Sequence, residues 1–292
     1  MPLVSVIIPT RRRHDLLARA LASVLGQTHR ELEVIVVDDN EPGERVAGEP
    51  ALRSLLGDPR VRVVEGAGGR SAAAARNRGL QVATGPWITY LDDDDEYLPA
   101  KVARQLALAE SSGSPIVLCG FAYVMGPRRR VKQVAADRFE GDGLLIGATW
   151  GTPFLFHRRD PGARFEAELR AGEDTLFAFD FLARHGVTQV PNAAEPLVLV
   201  HQQFERVNHA HRAHWRADQL VLHRTRGRFS RAARLHYLAR ARLAAAKHQR
   251  QSMAALLAAA SGVIRTGGLR EWRAVANAGL FRTGWFRRWL VS

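Results

Sequence analysis

Short, uninterrupted apolar runs alternate along this chain with longer stretches whose apolar residues recur at helical spacing. Leu3 to Pro9 is apolar and β-branched, which predicts a buried strand that stops at the proline. Asp15 to Leu25 places Leu16, Leu17, Ala20, Leu21 and Val24 on one helical face, with Gly26 as the stop. The alternation continues through a strand at Leu32 to Val37, a short helix around Val46 to Leu56 and a strand at Val61 to Val64. A helix at Ser71 to Val82, a strand at Trp87 to Leu91, a helix at Ala100 to Ala109 and a strand at Ile116 to Cys119 follow. Strands that are apolar throughout need cover on both faces, so the order predicts an α/β fold with a mostly parallel sheet. Ligands of such sheets bind beyond the carboxyl ends of the strands. Three polar clusters fall there: Thr10 to Arg13, Asp38 to Asn40 and Asp92 to Asp95.

The later pattern is less regular. Gly126 to Gln133 reads as a basic loop, and the glycine-rich Asp142 to Gly151 suits either a mobile flap or an ordinary surface connection. Glu173-Asp174 open an amphipathic helix that Gly186 closes. Beyond His201 the composition shifts to Ala, Arg and His with helical periodicity. Charge divides the chain at the same place: residues 201–292 hold 18 Lys+Arg against 3 Asp+Glu, whereas the first 200 residues are nearly balanced. A domain over 1–205 and a basic helical region over 206–292 are therefore expected, each meeting different partners. The single Cys119 excludes an intrachain disulfide. No apolar run approaches the roughly 18 residues of a membrane span. The N-terminal apolar residues precede the charges, the reverse of a secretory leader, which places the chain in the cytoplasm or on the inner face of the cytoplasmic membrane.

The chemistry begins at Ile88 to Pro99, where Asp92, Asp93, Asp94 and Asp95 run into Glu96. Adjacent carboxylates repel, so such a turn is either fully solvated or gathered around something cationic. Mg²⁺ or Mn²⁺ is the natural candidate, because these hard ions take one or two carboxylates and complete their shell with phosphate oxygens.

Several short motifs now bear on that choice. They are V-S-V-I-I-P-T at Val4 to Thr10, S-V-L-G-Q-T at Ser23 to Thr28, and V-I-V-V-D-D-N at Val34 to Asn40. A-R-N-R-G-L at Ala75 to Leu80, Y-L-D-D-D-D at Tyr90 to Asp95 and G-E-D at Gly172 to Asp174 complete the series. In this order and spacing the chain resembles the family 2 glycosyltransferases, inverting enzymes of the Rossmann-like GT-A fold that use nucleotide-diphosphate sugars. The resemblance covers roughly the first 200 residues.

The resemblance implies roles at the matching positions. Pro9, Thr10 and Arg11 would border the nucleotide, and Asp39 or Asp38 would accept the N3–H of a uracil-type base. Arg76 would face the base or the diphosphate; otherwise it is a surface arginine. Asp94, with Asp92, would ligate Mn²⁺ or Mg²⁺, while Asp92 or Asp93 would hold ribose or sugar hydroxyls. His201 falls where some proteins of this fold place a metal-binding histidine. Asp174 would take the acceptor hydroxyl's proton, with Glu173 beside it, although acidic residues also suit a helix start for structural reasons. Arg11 departs from the pattern, because the family often has a base-stacking aromatic residue there.

The expected function is transfer of a sugar, from a UDP-sugar by preference, to a saccharide or lipid-linked saccharide acceptor in cell-surface polysaccharide synthesis. The alternative is a catalytically inactive nucleotide-sugar-binding or membrane-surface scaffold. Phe281 to Val291 mixes Trp285, Phe286 and Trp289 with Arg282, Arg287 and Arg288, which suits either an anionic membrane surface or packing on the catalytic domain. No nucleic-acid-binding signature accompanies the basic charge.

Overall fold

The computed structural model describes residues 1–66, 68, 71–125, 128–132, 136–169, 171–201 and 211–248. They form two compact units, one of residues 1–140 and 148–204, the other of 141–147 and 205–292.

The first unit is built on a sheet whose strand order is β3-β2-β1-β4-β9-β6-β10-β5. Strand β1 (Val4–Thr10) lies between β2 (Leu32–Asp38) and β4 (Trp87–Tyr90), parallel to both, and β3 (Val61–Glu65) extends β2 in parallel. All seven residues of β1 are buried, so both of its faces are covered, as its unbroken apolar run requires. Helix α1 (His14–Leu25) buries Leu17, Ala20, Leu21 and Val24. Helix α3 (Ala72–Val82) packs on β1 and β2. Its close approach depends on Gly79, where a Cβ would stand 2.5 Å from Ile7 Cγ2.

Beyond β4 the sheet reverses for one strand. The short β9 (Phe156–Arg158) pairs antiparallel with β4 and with β6 (Ile116–Met125). Strand β10 (Gln189–His201) then runs parallel to β6. The fifth strand expected from sequence thus points the same way as the first four but does not adjoin them. Three residues of β9 carry too little periodicity to reveal the insertion. Short strands β5 (Glu96–Tyr97) and β8 (Arg138–Glu140) pair with β10, and β7 (Arg128–Lys132) with β6, all antiparallel. Helix α4 (Lys101–Ser112) packs on β6 and β10 and ends at Gly113 in the left-handed conformation (φ 66°). The helix expected around Val46 to Leu56 is instead a series of 3₁₀ turns followed by α2 (Arg53–Leu56).

Helix α6 (Glu173–Arg184) supplies the core's aromatic layer. Phe177 stacks on Phe165 at 4.2 Å, and Tyr90 meets Phe165 edge-on at 5.2 Å. Trp150, in the stretch read as a flap or surface connection, is buried against Phe179, and Phe154, just beyond it, against Phe121. Their apolar area keeps this part of the loop on the core.

In the second unit, Asp142 precedes α5 (Gly143–Ile146) and accepts hydrogen bonds from the Ser230 backbone N–H (2.9 Å) and hydroxyl (2.6 Å). Ser230 in turn caps α8 (Arg231–His248), which packs on α7 (His211–Arg224). His209, the side chains of His211 and His214, and Phe281 to Val291 lie outside the described residues.

His157 is fully buried. Its Nδ1 lies 2.8 Å from the Arg158 carbonyl, which can only accept, so Nδ1 carries the proton and Nε2 accepts from the Tyr90 hydroxyl at 2.9 Å. Burial pushes its pKa down to about 4. The unfolded chain takes up a proton near pH 6.5 that the folded ring refuses. This contribution to stability is therefore complete above pH 6.5 and is lost as pH falls toward 4. Nitrogen-15 spectra at pH 5.5 are expected to show a neutral Nδ1–H ring at His157; an imidazolium there would contradict the network.

Candidate active site

The polar clusters meet at the carboxyl ends of β1, β2 and β4. Strand β1 ends at Thr10, whose carbonyl accepts the Asp39 backbone N–H (3.0 Å). Asp38 and Asp39 are both buried but are used differently. Asp38 is consumed locally: Oδ1 accepts from the Asn40 backbone N–H (3.1 Å) and side-chain amide (2.8 Å), and Oδ2 from Val46 N–H (2.9 Å). Arg45 adds a bond to the Asp38 carbonyl at 2.6 Å. This Asx turn shapes the loop after β2. No described residue donates to the Asp39 carboxylate, and Gly66 keeps space before it, since a Cβ there would stand 2.5 Å from Asp39 Oδ1.

The residues after Thr10 turn sharply. Arg12 adopts the left-handed conformation (φ 56°), and its backbone N–H donates to Asn40 Oδ1 at 2.5 Å. Arg11 is half-exposed and lies 3.9 Å from Glu41.

The acidic turn is divided among several cations. Asp93 receives the Thr10 hydroxyl (3.0 Å), the Arg11 backbone N–H (3.4 Å) and Arg13 Nη1 (2.8 Å), so it pins the turn to the end of β1. Asp92 pairs with Arg76 Nη2 at 2.6 Å. Asp94 lies 3.5 Å from Arg13, and its carbonyl accepts from Arg19 at 2.6 Å. Asp95 accepts the His201 backbone N–H at 3.0 Å, and the His201 ring meets Glu96 at 2.6 Å. Burial, then the neighbouring Asp92 and Asp93, push Asp94 up to about 6. Burial, with Asp92 and Asp94, takes Asp95 to about 8. Crowded carboxyls held above their ordinary range are a donor set that a divalent cation would relieve. No group of three His, Cys, Asp or Glu side chains surrounds one point among the described residues. The carboxylate oxygens of the turn are ligands of the kind Mg²⁺ or Mn²⁺ takes where phosphate oxygens supply the rest of the shell.

The motif Ser23 to Thr28 braces the turn from behind. Ser23 Oγ accepts from Tyr97 N–H (3.0 Å), and the Gln27 amide donates to the Leu98 carbonyl (2.9 Å) and accepts from Val102 N–H (3.0 Å). These contacts span more than seventy residues, so nothing local in the sequence signals them, nor the part played by Arg19 or Arg13.

Arg76 is not a surface arginine. It is 4 % exposed and bridges Asp92 to Glu173 Oε1 (2.9 Å), joining the acidic turn to the start of α6. Burial opposes its charge, but the carboxylates of Asp92 and Glu173 outweigh that and raise its pKa. Gly172, at φ 76°, turns the chain into α6 without a side-chain cap. Glu173 serves Arg76, and Asp174 accepts from Thr175 N–H at 2.6 Å, so neither forms a conventional N-cap. Burial and the adjacent Glu173 lift Asp174 to about 7. The structure thus brings Thr10, Asp39, Arg76, Asp92 to Asp94, Glu173 and Asp174 to one end of the sheet. His201 joins the far side of the acidic turn.

Glycosyl transferase family 2 matches residues 5–166, more than half of the chain, and the protein belongs to that family. The succinoglycan biosynthesis protein ExoO of Rhizobium meliloti is 29 % identical over 66 % of this chain and 60 % of its own length. A Campylobacter jejuni GalNAc(5)-diNAcBac-PP-undecaprenol beta-1,3-glucosyltransferase is 33 % identical over 49 % of this chain and 44 % of its own. This chain thus spans less than two thirds of the length of these relatives. The fold is GT-A. S. aureus TarS 1-349, solved with UDP-GlcNAc, superimposes with a TM-score of 0.64 at 16 % identity, over 92 % of this chain and 82 % of its own. The mannosyltransferase PcManGT of Pyrobaculum calidifontis, solved with GDP-Man and Mn²⁺, gives 0.60 at 21 % identity, over 99 % and 83 %.

Arg76→Met, which keeps the bulk and deletes the charge, is expected to destabilise the fold by about 1–3 kcal/mol, because it leaves the part-buried carboxylates of Asp92 and Glu173 without their shared partner. Glu173→Gln, which leaves Asp92 paired, is expected to cost less. Thermal denaturation checks the order, and an unchanged Arg76→Met midpoint would contradict it.

Proposed function

We propose that this protein transfers a sugar from a nucleotide-diphosphate donor, a UDP-sugar by preference, to a saccharide or lipid-linked saccharide acceptor, with inversion. One observation carries the reading. Within a family 2 domain, an Asp39 carboxylate with no described donor, a crowded oxygen-rich turn and Asp174 converge at the strand ends. Asp39 accepts the N–H of the base, and leaving that bond unmade for another base costs about 1–3 kcal/mol. Thr10 and Arg11 border the nucleotide. Asp94, with Asp92, holds Mn²⁺ or Mg²⁺, and His201 is a further candidate ligand from β10. A divalent cation bound there supplies charge neutralisation for the departing diphosphate. Asp174 removes the acceptor hydroxyl's proton as that oxygen bonds to the anomeric carbon and the carbon–phosphate-oxygen bond breaks. Glu173 keeps Arg76 and the base in register.

The names of the relatives, succinoglycan synthesis and an undecaprenol-linked acceptor, support a role in surface polysaccharide assembly. No helix among the described residues is long and apolar enough to cross a membrane. The arginine and tryptophan content of Phe281 to Val291 supports attachment at an anionic membrane surface, on the cytoplasmic side.

Calorimetry with UDP, GDP and dTDP, with and without Mn²⁺, is expected to show tight, ion-dependent binding of UDP that Asp94→Ala abolishes. Absence of binding by any nucleotide would remove the donor site. Asp174→Asn is expected to bind donor normally and to lose turnover by at least about a hundredfold. In the wild type Asp174 works only when deprotonated, so turnover should rise with pH through about 7 and level off above it.

A further inference from the structure

Lys101 opens helix α4 beneath the acidic turn and is fully buried, with no carboxylate beside it. Its Nζ donates to Thr89 Oγ1 and sits 4.0 Å from the centre of the Tyr97 ring. Thr89 lies on β4 just before the turn, and Tyr97 on β5 just after it. The Tyr97 hydroxyl donates to the Tyr90 carbonyl at 2.5 Å, and the Thr89 hydroxyl donates to the Leu155 carbonyl at 2.7 Å. Each hydroxyl has one proton, and each is committed to a carbonyl that can only accept. The two oxygens nevertheless lie 3.0 Å apart, so neither has a proton left for the other. Two lone pairs would face one another in a dry interior, and Lys101 Nζ supplies the proton that one of them, on Thr89, receives.

We propose that Lys101 is a positioning residue for the acidic turn: its Nζ, bonded to the Thr89 hydroxyl and seated over the Tyr97 ring, ties β4 to β5 and so closes the stem on which Asp92 to Asp95 stand. It touches neither the proposed donor site nor the proposed metal ligands and acts only through the stem. Its importance for catalysis rests on the sugar-transfer reading above, but the geometry does not.

The charge state of this lysine is within reach of ordinary pH. Burial pushes its pKa down to about 7. The titratable group acting on it is Cys119 from β6, whose thiol burial itself pushes up to about 12, so the thiol stays protonated. From β4 and β5 it faces Thr89 and Tyr97, whose phenol burial raises well above its usual range; Asp92 and Asp95 act on that phenol through space. The closed stem thus favours the neutral amine, which still donates to Thr89, whereas an opened stem returns Lys101 to water and to its ordinary, higher range; protonation below about pH 7 therefore eases opening. The stem should tighten as pH rises through 7.

Hydrogen exchange on the full chain tests this without nucleotide or metal, so its failure is distinct from failure of the donor-site reading. The reporters are the turn amides with defined partners: Leu91 (to Ile7), Asp95 (to Asp92), Tyr97 (to Ser23) and Leu98 (to Leu197). At pH 8.5, Lys101→Met is expected to speed their exchange about tenfold relative to wild type, the size of one lost hydrogen bond, and to leave amides of β1 and β2 unchanged. Corrected for intrinsic rates, the difference between variant and wild type should shrink as pH falls from 8.5 through 7 to 6. Carboxylates of the turn titrate in both proteins and cancel in that difference. Unchanged turn exchange, uniform loss of protection throughout the chain, or a difference independent of pH would each overturn the proposal. Should Lys101→Met fail to fold, Thr89→Val removes the acceptor instead and must give the same local, pH-dependent loosening.

Discussion

Negative charge held in one place is the constraint on which the rest of this structure depends. Asp92 to Glu96 are consecutive, and Glu173 and Asp174 approach from a helix far away in sequence. Two like charges about 4 Å apart repel by about 4 kcal/mol at an effective dielectric of about 20, so several such pairs would exceed the stability of a whole domain. The fold answers with Arg13, Arg19 and Arg76, one from the loop after β1, one from α1 and one from α3. Each arrives on a different element. The carboxylates can therefore be tolerated only once the sheet has assembled and brought those elements together.

This compensation is partial, and the incompleteness points to chemistry. Asp93 is fully occupied and behaves as a structural pin. Asp94, Asp95 and Asp174 remain well above the ordinary carboxylate range because burial and their neighbours outweigh the arginines. A site that held no cation and moved no proton would gain stability by replacing them. The same economy separates Asp38 from Asp39: one organises a loop, and the other presents a buried carboxylate with no described donor.

Beneath the turn the arrangement changes from ionic to neutral. Lys101, Thr89 and Tyr97 bond to one another and to backbone carbonyls, and those bonds tie the two stems rather than the charges. Ser23 and Gln27 brace the same stems from α1. Charge placement above and stem geometry below are thus handled by separate sets of residues.

Much of this was legible in the sequence. The unbroken apolar runs of β1, β2 and β4 announced strands buried on both faces, and the polar residues at their ends fell together at one end of the sheet, because strand period is local and parallel neighbours bring like ends together. Glu173-Asp174 and Gly186 marked the start and end of α6, because caps and stops act within a single turn. Two things were not legible. The reversed β9 has three residues, too few for a periodic signal, and so the neighbours of the fifth strand could not be known. The partners of Arg76, 16 and 97 residues away, depend on where α3 and α6 come to rest on the sheet. Sequence alone determined the longer strands and helices and which residues carry charge, since those follow from local periodicity and composition. Only the tertiary structure decided which charges meet, which carboxylate is left without a described partner, and which lysine is buried, because contacts across such distances are set by the order of strands.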